Sequence, residues 1–421
     1  MTEIKPLTRL DAIIKLPGSK SYTQRALIIA ALAQGESCLS NVLLAEDTGY
    51  MMEALRLLGT GISEAHGDVV VQGTGGRIAN PGQPIFLGNN GTALRFLTSL
   101  VSLGNGRFII TGEKRLCERP VKPLLDVLET LGVTIHTEEG KGFPPVAIDA
   151  HGIGAGSVTF DNVASSQYVS SLLISAPYAK GDVSIKLRGR TVSQPYIEMT
   201  IEAMRRFGVE VIREGKYGYL VKGGQRYEGK PYLVEGDVST ASYFFLAAAL
   251  CRGKIKCLNI NPRSLQGDIR LLQIMETLGC RVLRGEDWVE ITGGTLSPGD
   301  YTFDMGDMPD VAPTLAVMSA FREGRTQITN VSHLRIKESN RIAALVSELN
   351  RIGVAADETK DGLVIIGGKP HGTEIETYND HRIAMSFAIA GLVAPGMKIK
   401  NGQCVNKSFP AFWDELEKLY I

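Results

Sequence analysis

The sequence repeats one pattern with a period of 71 to 76 residues, and this repeat limits the folds open to the chain. One recurring phrase is an amphipathic segment that ends in an apolar residue and Gly and continues into Val or Ile, as in EALRLLGTGI and EAMRRFGVEV. Gly suits the left-handed end of a helix, and Val or Ile suits a following strand. The successive separations are 73, 76, 71 and 74 residues, for Gly59, Gly132, Gly208, Gly279 and Gly353.

A second pattern interleaves with the first: a small polar helix start, an apolar helix, a Gly turn and a strand, as in SKSYTQRALIIAALAQGESCLSNV. Its turn glycines are 71, 75, 72, 71 and 72 residues apart, at Gly35, Gly106, Gly181, Gly253, Gly324 and Gly396. Two independent markers with one spacing indicate six copies of one α/β unit. The last copy lacks its second half, and we expect an N-terminal strand near Ala12 to Leu16 to complete it.

The helices of the second pattern are apolar nearly all round, so sheets must cover them. A repeat of this length exceeds the common solenoid repeats, which favours closed domains over an open solenoid. The sequence therefore predicts an α/β fold with two domains of three repeats each. One domain spans 19–235 and the other combines 1–18 with 236–421, so that the chain crosses twice between them and forms a double hinge.

Composition excludes several classes of protein. Lys plus Arg and Asp plus Glu number 45 each, which lacks the basic excess of most nucleic-acid binders but allows cations to gather in one cleft. The six cysteines and six histidines are dispersed without zinc-ligand spacing, so we expect no metal site and no disulfide framework. No apolar run approaches the roughly 20 residues of a membrane helix, and no signal peptide is evident. These features predict a cytoplasmic protein.

Residues of the type that cap helices begin all six apolar helices, and helix N-termini favour phosphate and other anions. One such residue alone would more often be a simple cap. Reactive side chains at several equivalent starts, namely Lys20, Asp310 and Asp380 to Arg382, instead indicate an anion site. LPGSKS lacks the phosphate-loop spacing, GTGGRI lacks the dinucleotide spacing, and VASSQ lacks nucleophile-elbow glycines. Nucleotide binding and serine hydrolysis are therefore disfavoured.

Ten strings in order resemble the 5-enolpyruvylshikimate-3-phosphate synthase family, from about residue 10 to 415. They are LPGSKSYTQRAL, LGNNGTALRFL, ERPVKPLLDVL, SSQYVSSLL, TVSQPYIEMT, VEGDVSTASYF, MPDVAPTLA, LRIKESNRI, TYNDHRIAMSFA and CVNKSFPAFW. The resemblance implies a six-repeat inside-out α/β barrel whose two domains close over the substrates. It implies transfer of the enolpyruvyl group of phosphoenolpyruvate to the 5-hydroxyl of shikimate 3-phosphate, with release of phosphate, by a monomer without a cofactor.

The resemblance also implies which residues bind the two substrates. Those for phosphoenolpyruvate are Lys20, Gly91, Arg119, Gln167, Arg341, Arg382 and Lys407. Those for shikimate 3-phosphate are Lys20, Ser21, Arg25, Ser165, Ser166, Gln167, Ser193, Tyr196, Asp310, His333 and Lys337. Arg forks suit carboxylates, Lys supplies a point charge for phosphate, and Gly91 suits a close backbone approach. Arg95 is interpreted as structural.

By the same resemblance, Asp310 is the base toward the 5-hydroxyl and Glu338 donates a proton to the methylene carbon. Neighbouring cations favour an ionised carboxylate, so Glu338, which lies between Lys337 and Arg341 in the sequence, is in tension with a donor role. Lys20 is a second candidate for this proton transfer. His381 either contacts a ligand, orients a neighbour or is a structural histidine.

Four residues depart from the family pattern. His333 replaces a common Asn, Asn340 replaces a common Asp, and Asn90 and Phe96 replace Ala and Pro around Gly91. The Gly91 loop shapes the site of the inhibitor glyphosate in this family. We expect Gly91 to keep the site sensitive and Asn90 and Phe96 to change the potency.

Two alternatives remain open at the level of the sequence. UDP-N-acetylglucosamine enolpyruvyl transferases share the fold and carry a loop cysteine, and Cys117 lies two residues before Arg119. However, the string KRLCERP lacks the glycines around that cysteine, while KSYTQR, SSQY and RIKES favour shikimate 3-phosphate. The other alternative is a non-catalytic repeat protein that binds acidic partners. The presence of both Asp310 and Glu338 argues against it.

Overall fold

The computed structural model describes residues 1–65, 67–189 and 193–420; Thr191 and Val192 of the motif TVSQPYIEMT lie outside them. The strands of the described residues are β1 (Thr2–Glu3), β2 (Asp11–Lys15), β3 (Gln34–Ser40), β4 (Gly61–Ala65), β5 (Asp68–Thr74), β6 (Ile85–Phe86), β7 (Asn105–Thr111), β8 (Thr134–Thr137), β9 (Val146–His151), β10 (Gly156–Asp161), β11 (Val183–Arg188), β12 (Val211–Arg213), β13 (Gly218–Val221), β14 (Tyr232–Leu233), β15 (Lys254–Leu258), β16 (Arg281–Arg284), β17 (Trp288–Thr292), β18 (Tyr301–Asp304), β19 (Gly324–Thr329), β20 (Ala355–Glu358), β21 (Leu363–Gly367), β22 (Glu374–Ile375) and β23 (Lys398–Ile399).

The α-helices of the described residues are α1 (Lys20–Leu32), α2 (Glu46–Leu57), α3 (Gly91–Ser102), α4 (Lys114–Cys117), α5 (Lys122–Thr130), α6 (Ser166–Ser175), α7 (Pro195–Arg206), α8 (Val238–Cys251), α9 (Leu271–Thr277), α10 (Ala312–Ala320), α11 (Arg341–Arg351), α12 (His381–Gly391) and α13 (Phe412–Glu417). Short 3-10 helices cover Glu138–Gly140, Ala176–Tyr178, Gly267–Arg270, Pro309–Val311, Ser332–Ile336, Gly402–Lys407 and Lys418–Tyr420.

These strands pair into six small sheets, five of which are four-stranded and share one plan. In the second repeat the order is β6–β7–β9–β8: β7 follows the buried helix α3, lies parallel to β6 and is antiparallel to β9. The other four-stranded orders are β14–β3–β5–β4, β10–β11–β13–β12, β16–β17–β15–β2 and β18–β19–β21–β20, and the three-stranded order is β1–β23–β22. The six repeats of the sequence therefore correspond to the six sheets of the structure.

The N-terminal strand corrects one expectation. β2 lies parallel to β15, with Asp11 opposite Lys254 and Lys15 opposite Leu258, so it completes the sheet of the fourth repeat and not that of the sixth. This edge of β15 is available because β14, the strand that precedes helix α8, pairs with β3 instead. The sixth repeat gains β1, which runs antiparallel to β23.

The chain divides into two compact units, which we call the continuous unit (Lys20–Val234) and the split unit (Met1–Ser19 with Glu235–Ile421). Each unit has its own apolar core around three buried helices: α1, α3 and α6 in the continuous unit, and α8, α10 and α12 in the split unit. In α8 every residue from Val238 to Ala249 is buried, as expected for a helix that is apolar on all sides. Within the described ranges, no helix combines the length and apolar character that a bilayer crossing requires.

The boundaries of the repeated helices follow the predicted signals. All five helix-stop glycines have positive φ, between 83° and 97°, which a side chain would disfavour. Asn90, Ser165, Asp237 and Asp380 each accept a hydrogen bond from a backbone N–H in the first turn of the helix that they precede. The start at Asp310 differs from the prediction, because a 3-10 turn covers Pro309–Val311 and α10 begins only at Ala312.

The N-terminal ends of the three buried helices meet within each unit. In the continuous unit, Asn90 at the start of α3 donates to Gln24 of α1 over 3.0 Å, and Gln167 of α6 donates to Thr92 of α3 over 3.0 Å. In the split unit, Arg382 in the first turn of α12 donates to Asp310, which precedes α10, over 2.7 Å. Each unit therefore presents one end where helix dipoles favour negative charge.

Candidate active site

Arg341 is the centre of a buried arginine–carboxylate cluster in the split unit, which we define as Arg341, Arg382, Asp310, Glu338 and Asp380. The Nε atom of Arg341 donates to Asp380 over 2.9 Å, and Nη2 donates to Glu338 over 2.8 Å. The Nη1 atom lies 3.5 Å from Oδ1 of Asp310. Burial opposes the charge of the guanidinium, but the three carboxylates outweigh it and raise the pKa of Arg341.

Arg382 links this cluster to the buried helix α8. Its Nη2 atom donates to Oδ2 of Asp310 over 2.7 Å, and its Nη1 atom donates to the hydroxyl of Tyr243 over 3.3 Å. Burial raises the pKa of Tyr243 to about 12, against the opposing effect of Arg382, so this phenol stays protonated at neutral pH. Asp310 is the most exposed carboxylate in the cluster, with a fifth of its side chain accessible. It is therefore the carboxylate most open to a substrate.

The remaining predicted residues of the split unit lie on short elements near its polar end. His333 is buried in the 3-10 helix Ser332–Ile336, and Lys337 follows directly in extended conformation. His381 is buried at the first position of α12, with Nδ1 4.0 Å from Asp380. Lys407 is buried at the end of the 3-10 helix Gly402–Lys407.

Lys20 opens α1 in the continuous unit and forms an ion pair with a carboxylate that the sequence analysis did not single out. Its Nζ atom lies 3.0 Å from Oδ2 of Asp47, which is buried near the start of α2. The backbone oxygen of Asp47 accepts a 2.5 Å hydrogen bond from the side chain of Asn90. Asn90, one of the departures from the family pattern, thus connects the start of α3 to the partner of Lys20.

Arg25 is fully buried one turn along α1. Its guanidinium donates to the hydroxyl of Thr200 and to the backbone oxygens of Ser21 and Tyr196, over 2.8, 2.9 and 3.1 Å. Phe96 and Tyr196 lie 5.4 and 5.8 Å from it, as cation–π partners. Burial lowers the pKa of Arg25 to about 10, which still leaves it charged at neutral pH. Phe96, the second departure near Gly91, therefore supports a candidate substrate residue.

Two arginines enclose Gly91. Arg95 donates from Nη1 to the Gly91 backbone oxygen over 2.8 Å and from Nη2 to that of Pro120 over 3.0 Å, which agrees with a structural role. Arg119 is buried and donates to the backbone oxygen of Asn89 over 3.3 Å. A Cβ atom at Gly91 would overlap both guanidinium groups, so glycine lets them lie this close to the backbone.

The predicted sugar-phosphate residues of the continuous unit surround the starts of α6 and α7. Ser165 caps α6, Ser166 is buried at its first position, and Gln167 follows. Ser193 is buried with φ of 58°, just before α7, and its backbone oxygen accepts the N–H of Tyr196 over 3.1 Å. Non-glycine residues rarely adopt this conformation, so its presence beside candidate binding residues is consistent with a functional constraint.

In the split unit, these contacts bring Asp310, Glu338, Arg341 and Arg382 together. In the continuous unit, Lys20, Gly91 and Gln167 lie in the first turns of the three buried helices. The ion pairs of Lys20 with Asp47 and of Arg341 with Asp380 were not predicted from the sequence. Asp380 lies within the motif NDHR, and its position as a helix cap was a usable signal. Asp47 follows Glu46 at the start of α2, where acidic residues commonly complement the helix dipole. This common pattern gave no sign that Asp47 also forms an ion pair with Lys20.

Two α/β units of three repeats, with Lys20 and Arg382 in the first turns of buried helices, define a class of α/β protein whose helix N-termini favour small anions. The sequence profile of "EPSP synthase (3-phosphoshikimate 1-carboxyvinyltransferase)" matches residues 4–416. The 3-phosphoshikimate 1-carboxyvinyltransferase of Syntrophobacter fumaroxidans is 43% identical over 419 residues, covering 99% of both chains. That of Nostoc punctiforme is 42% identical over 414 residues, covering 98% of this chain and 97% of the other.

A solved EPSP synthase from Acinetobacter baumannii superposes with a TM-score of 0.82 at 28% identity, covering 99% of this chain and 97% of the other. The chain belongs to the EPSP synthase family. It is an enzyme of the shikimate pathway that transfers the enolpyruvyl group of phosphoenolpyruvate to shikimate 3-phosphate with release of phosphate. The family resemblance and the predicted fold class, an α/β inside-out barrel of six repeats, are confirmed.

Proposed function

We propose that the polar residues of both units hold the two substrates and that the arginine–carboxylate cluster carries out the proton transfers of the reaction. The observation that carries this proposal is the geometry of the cluster, where two buried arginines meet three carboxylates. The most exposed of these, Asp310, lies in the 3-10 turn directly before the buried helix α10. Burying such a cluster costs free energy. That cost is expected where the charged groups bind anionic substrates and transfer protons.

The cationic residues are assigned to phosphoenolpyruvate. Arg341 and Arg382 present guanidinium groups suited to its carboxylate or phosphate, with Arg119 and Lys20 as further cations. The carboxylates that contact these arginines in the described structure hold the guanidinium groups in place before the substrate arrives. The complete assigned set is Lys20, Gly91, Arg119, Gln167, Arg341, Arg382 and Lys407.

The polar and basic residues at the other helix starts are assigned to shikimate 3-phosphate. Backbone N–H groups at the start of α6 favour its phosphate. Arg25, held rigid by its buried hydrogen bonds, supplies charge near this end of the unit. The complete assigned set is Lys20, Ser21, Arg25, Ser165, Ser166, Gln167, Ser193, Tyr196, Asp310, His333 and Lys337.

The chemistry has two stages. Asp310 takes the proton of the 5-hydroxyl as the hydroxyl oxygen bonds to C2 of phosphoenolpyruvate, while C3 accepts a proton from Glu338 or Lys20 and becomes a methyl group. The group that gave the proton to C3 then takes a proton back from the methyl group, the C2–C3 double bond re-forms as the bond from C2 to the phosphate oxygen breaks, and phosphate departs with the proton that Asp310 had accepted. Arg341 contacts Glu338 over 2.8 Å, which favours the ionised acid, so Glu338 needs a change in this contact to act as a donor. His381 orients Asp380 and the start of α12.

Three further features belong to the same proposal. The two crossings of the chain between the units act as a double hinge. The enzyme works as a monomer, since one chain carries both assigned residue sets. It works in the cytoplasm, where its cysteines, all six of them free, stay reduced.

Mixing the protein with shikimate 3-phosphate and phosphoenolpyruvate tests the activity directly. We expect phosphate release and an enolpyruvyl product identified by its mass, and we expect no phosphate release when UDP-N-acetylglucosamine replaces shikimate 3-phosphate. Turnover with UDP-N-acetylglucosamine but not with shikimate 3-phosphate would favour a UDP-N-acetylglucosamine enolpyruvyl transferase, the alternative suggested by Cys117. Absence of turnover with either acceptor would leave a non-catalytic binding protein as the better description.

Gly91→Ala tests the assignment of the Gly91 loop to phosphoenolpyruvate. The added methyl group overlaps Arg95 and Arg119, and we expect displacement of Arg119 because its guanidinium is the end of a flexible side chain. Loss of one charge-assisted hydrogen bond predicts an increase of about tenfold or more in the KM for phosphoenolpyruvate. The KM for shikimate 3-phosphate should change little.

Gly49→Ala is the matched control, since nothing lies within 4 Å of a Cβ atom at this position in α2. It should leave both KM values at the wild-type level. An unchanged KM for phosphoenolpyruvate in Gly91→Ala would remove this loop from the proposed site. Inhibition by glyphosate, measured on the same variants, tests the expectation that Gly91 keeps the wild-type site sensitive.

A further inference from the structure

Asp268 is a buried carboxyl group of the split unit that does not belong to the arginine–carboxylate cluster. Asp268 lies in the 3-10 helix Gly267–Arg270, which packs against the 3-10 helix Pro309–Val311 and against α8. Its side chain is almost entirely buried. The hydroxyl of Ser239, in the first turn of α8, donates to Oδ2 of Asp268, while Oδ1 is buried and has no hydrogen-bond partner among the described residues.

A carboxyl group in this setting needs an explanation. One unsatisfied, buried carboxylate oxygen costs free energy that a neutral side chain would avoid. An Asn at this position would accept the same hydrogen bond from Ser239 with its side-chain oxygen and would carry no charge. Packing and helix capping therefore do not explain why this residue is an acid. An effect of its charge on the nearby proton acceptor Asp310 would explain it.

The surroundings of Asp268 favour its protonated form near neutrality. Burial and then the negative charge of Asp310 raise the pKa of Asp268 to about 7, with a smaller contribution from Asp237. Arg382 and the hydrogen bond from Ser239 act in the opposite direction. On its own element, Arg270 is occupied by an exposed ion pair with Asp307 over 3.0 Å. Asp268 therefore changes charge near neutral pH.

We propose that Asp268 is a positioning residue for the reaction, a buried carboxyl group whose ionisation sets how strongly Asp310 accepts the proton of the 5-hydroxyl. When Asp268 is ionised, its negative charge adds to that of Asp310 and favours transfer of a proton onto this pair. When Asp268 is protonated, that contribution is absent. The proton of the 5-hydroxyl still goes to Asp310, and Asp268 touches no substrate. This inference rests on the proposed role of Asp310 as the base.

The test compares the dependence of kcat on pH for the wild type and for Asp268→Asn, with both substrates saturating. We expect the wild-type rate to rise through an inflection near the ionisation of Asp268, and we expect the variant to lack this inflection. At about pH 8.5 the variant should be slower by roughly tenfold, the effect of one nearby charge, and at about pH 5.5 it should match the wild type within about twofold. Ionisations of the substrates appear in both profiles and cancel in their ratio.

Two further variants sharpen the result. Ser239→Ala removes a hydrogen bond that favours the ionised form, so the inflection should move to higher pH and remain visible. Glu276→Gln, an exposed acid on the adjacent helix α9 that pairs with Arg284, should leave the profile unchanged. Near-ultraviolet circular dichroism establishes that each variant keeps the native fold before its rates are compared.

The outcomes separate this inference from the proposed function. A wild-type profile in Asp268→Asn, or an equal loss of rate at all pH values, overturns the inference, since the latter indicates a purely structural role. Wild-type activity in Asp310→Asn overturns the proposed base and the inference with it. Loss of activity in Asp310→Asn together with an unchanged profile in Asp268→Asn rejects the inference alone.

Discussion

Asp310→Asn is expected to lower kcat by about 100- to 10,000-fold, the usual contribution of a positioned acid or base. Asn keeps the shape of the side chain and can still accept the 2.7 Å hydrogen bond from Arg382, but it cannot take up the proton of the 5-hydroxyl at neutral pH. The KM values should change much less than kcat, because the cations assigned to phosphoenolpyruvate remain. Steady-state kinetics with each substrate varied in turn measures both effects.

Asp307→Asn provides the control for this substitution. Asp307 lies three residues away, and its 3.0 Å ion pair with Arg270 is exposed. Its substitution should leave kcat within about twofold of the wild type, since exposed pairs contribute little. If Asp310→Asn retained more than about a tenth of wild-type kcat, another group would have to act as the base. Lys20→Met would then be the next variant to measure.

Arg341→Met is expected to lower the free energy of unfolding of the split unit by about 3 to 5 kcal/mol, the usual cost of leaving a buried charge without its partner. Asp380, which is fully buried, would lose two hydrogen bonds from the guanidinium, and Glu338 would lose one. Met fills a similar volume, so the loss reports on charge more than on packing. Urea denaturation followed by tryptophan fluorescence measures it, because Trp288 and Trp413 both belong to the split unit.

Arg284→Met is the matched control. Arg284 makes two hydrogen bonds to Glu276, over 2.7 and 2.9 Å, but both side chains are more than a third exposed. We expect a change of at most about 1 kcal/mol, because water replaces an exposed partner. Equal losses in the two variants would contradict the view that burial makes the Arg341 contacts strong.

Much of the fold was predictable because the repeat reports on backbone conformation. The helix-stop glycines and the caps determine the backbone conformation of only a few neighbouring residues. Their spacing in the sequence therefore predicts the spacing of the helices in the structure. The assignment of the Ala12 to Leu16 strand was wrong for the opposite reason. Its partner is chosen by which sheet has an available edge, and that edge at β15 depends on where the distant strand β14 pairs.

The candidate site divides in the same way. Lys20, Asp310 and Arg382 were visible because they stand at the starts of repeated helices, and the family resemblance supplied most of the other residues. The ion pair between Lys20 and Asp47 joins residues 27 positions apart, and the contact between Arg341 and Asp380 joins residues 39 apart. The burial of Asp268 likewise depends on three separate elements. No local pattern encodes such pairings.

The split unit has a consequence for the order of events during synthesis. The side-chain amide of Asn259 donates a hydrogen bond to the backbone oxygen of Leu16, which is 243 residues earlier in the sequence. The partner of strand β2, β15, is likewise far from it along the chain. During translation, β2 is therefore synthesised long before its partner strand β15. The whole continuous unit is synthesised between them. We expect β2 to stay unpaired until β15 has been made, and a nascent chain halted when Val234 has just left the ribosome to hold the continuous unit folded while residues 1–19 lack their partner strand.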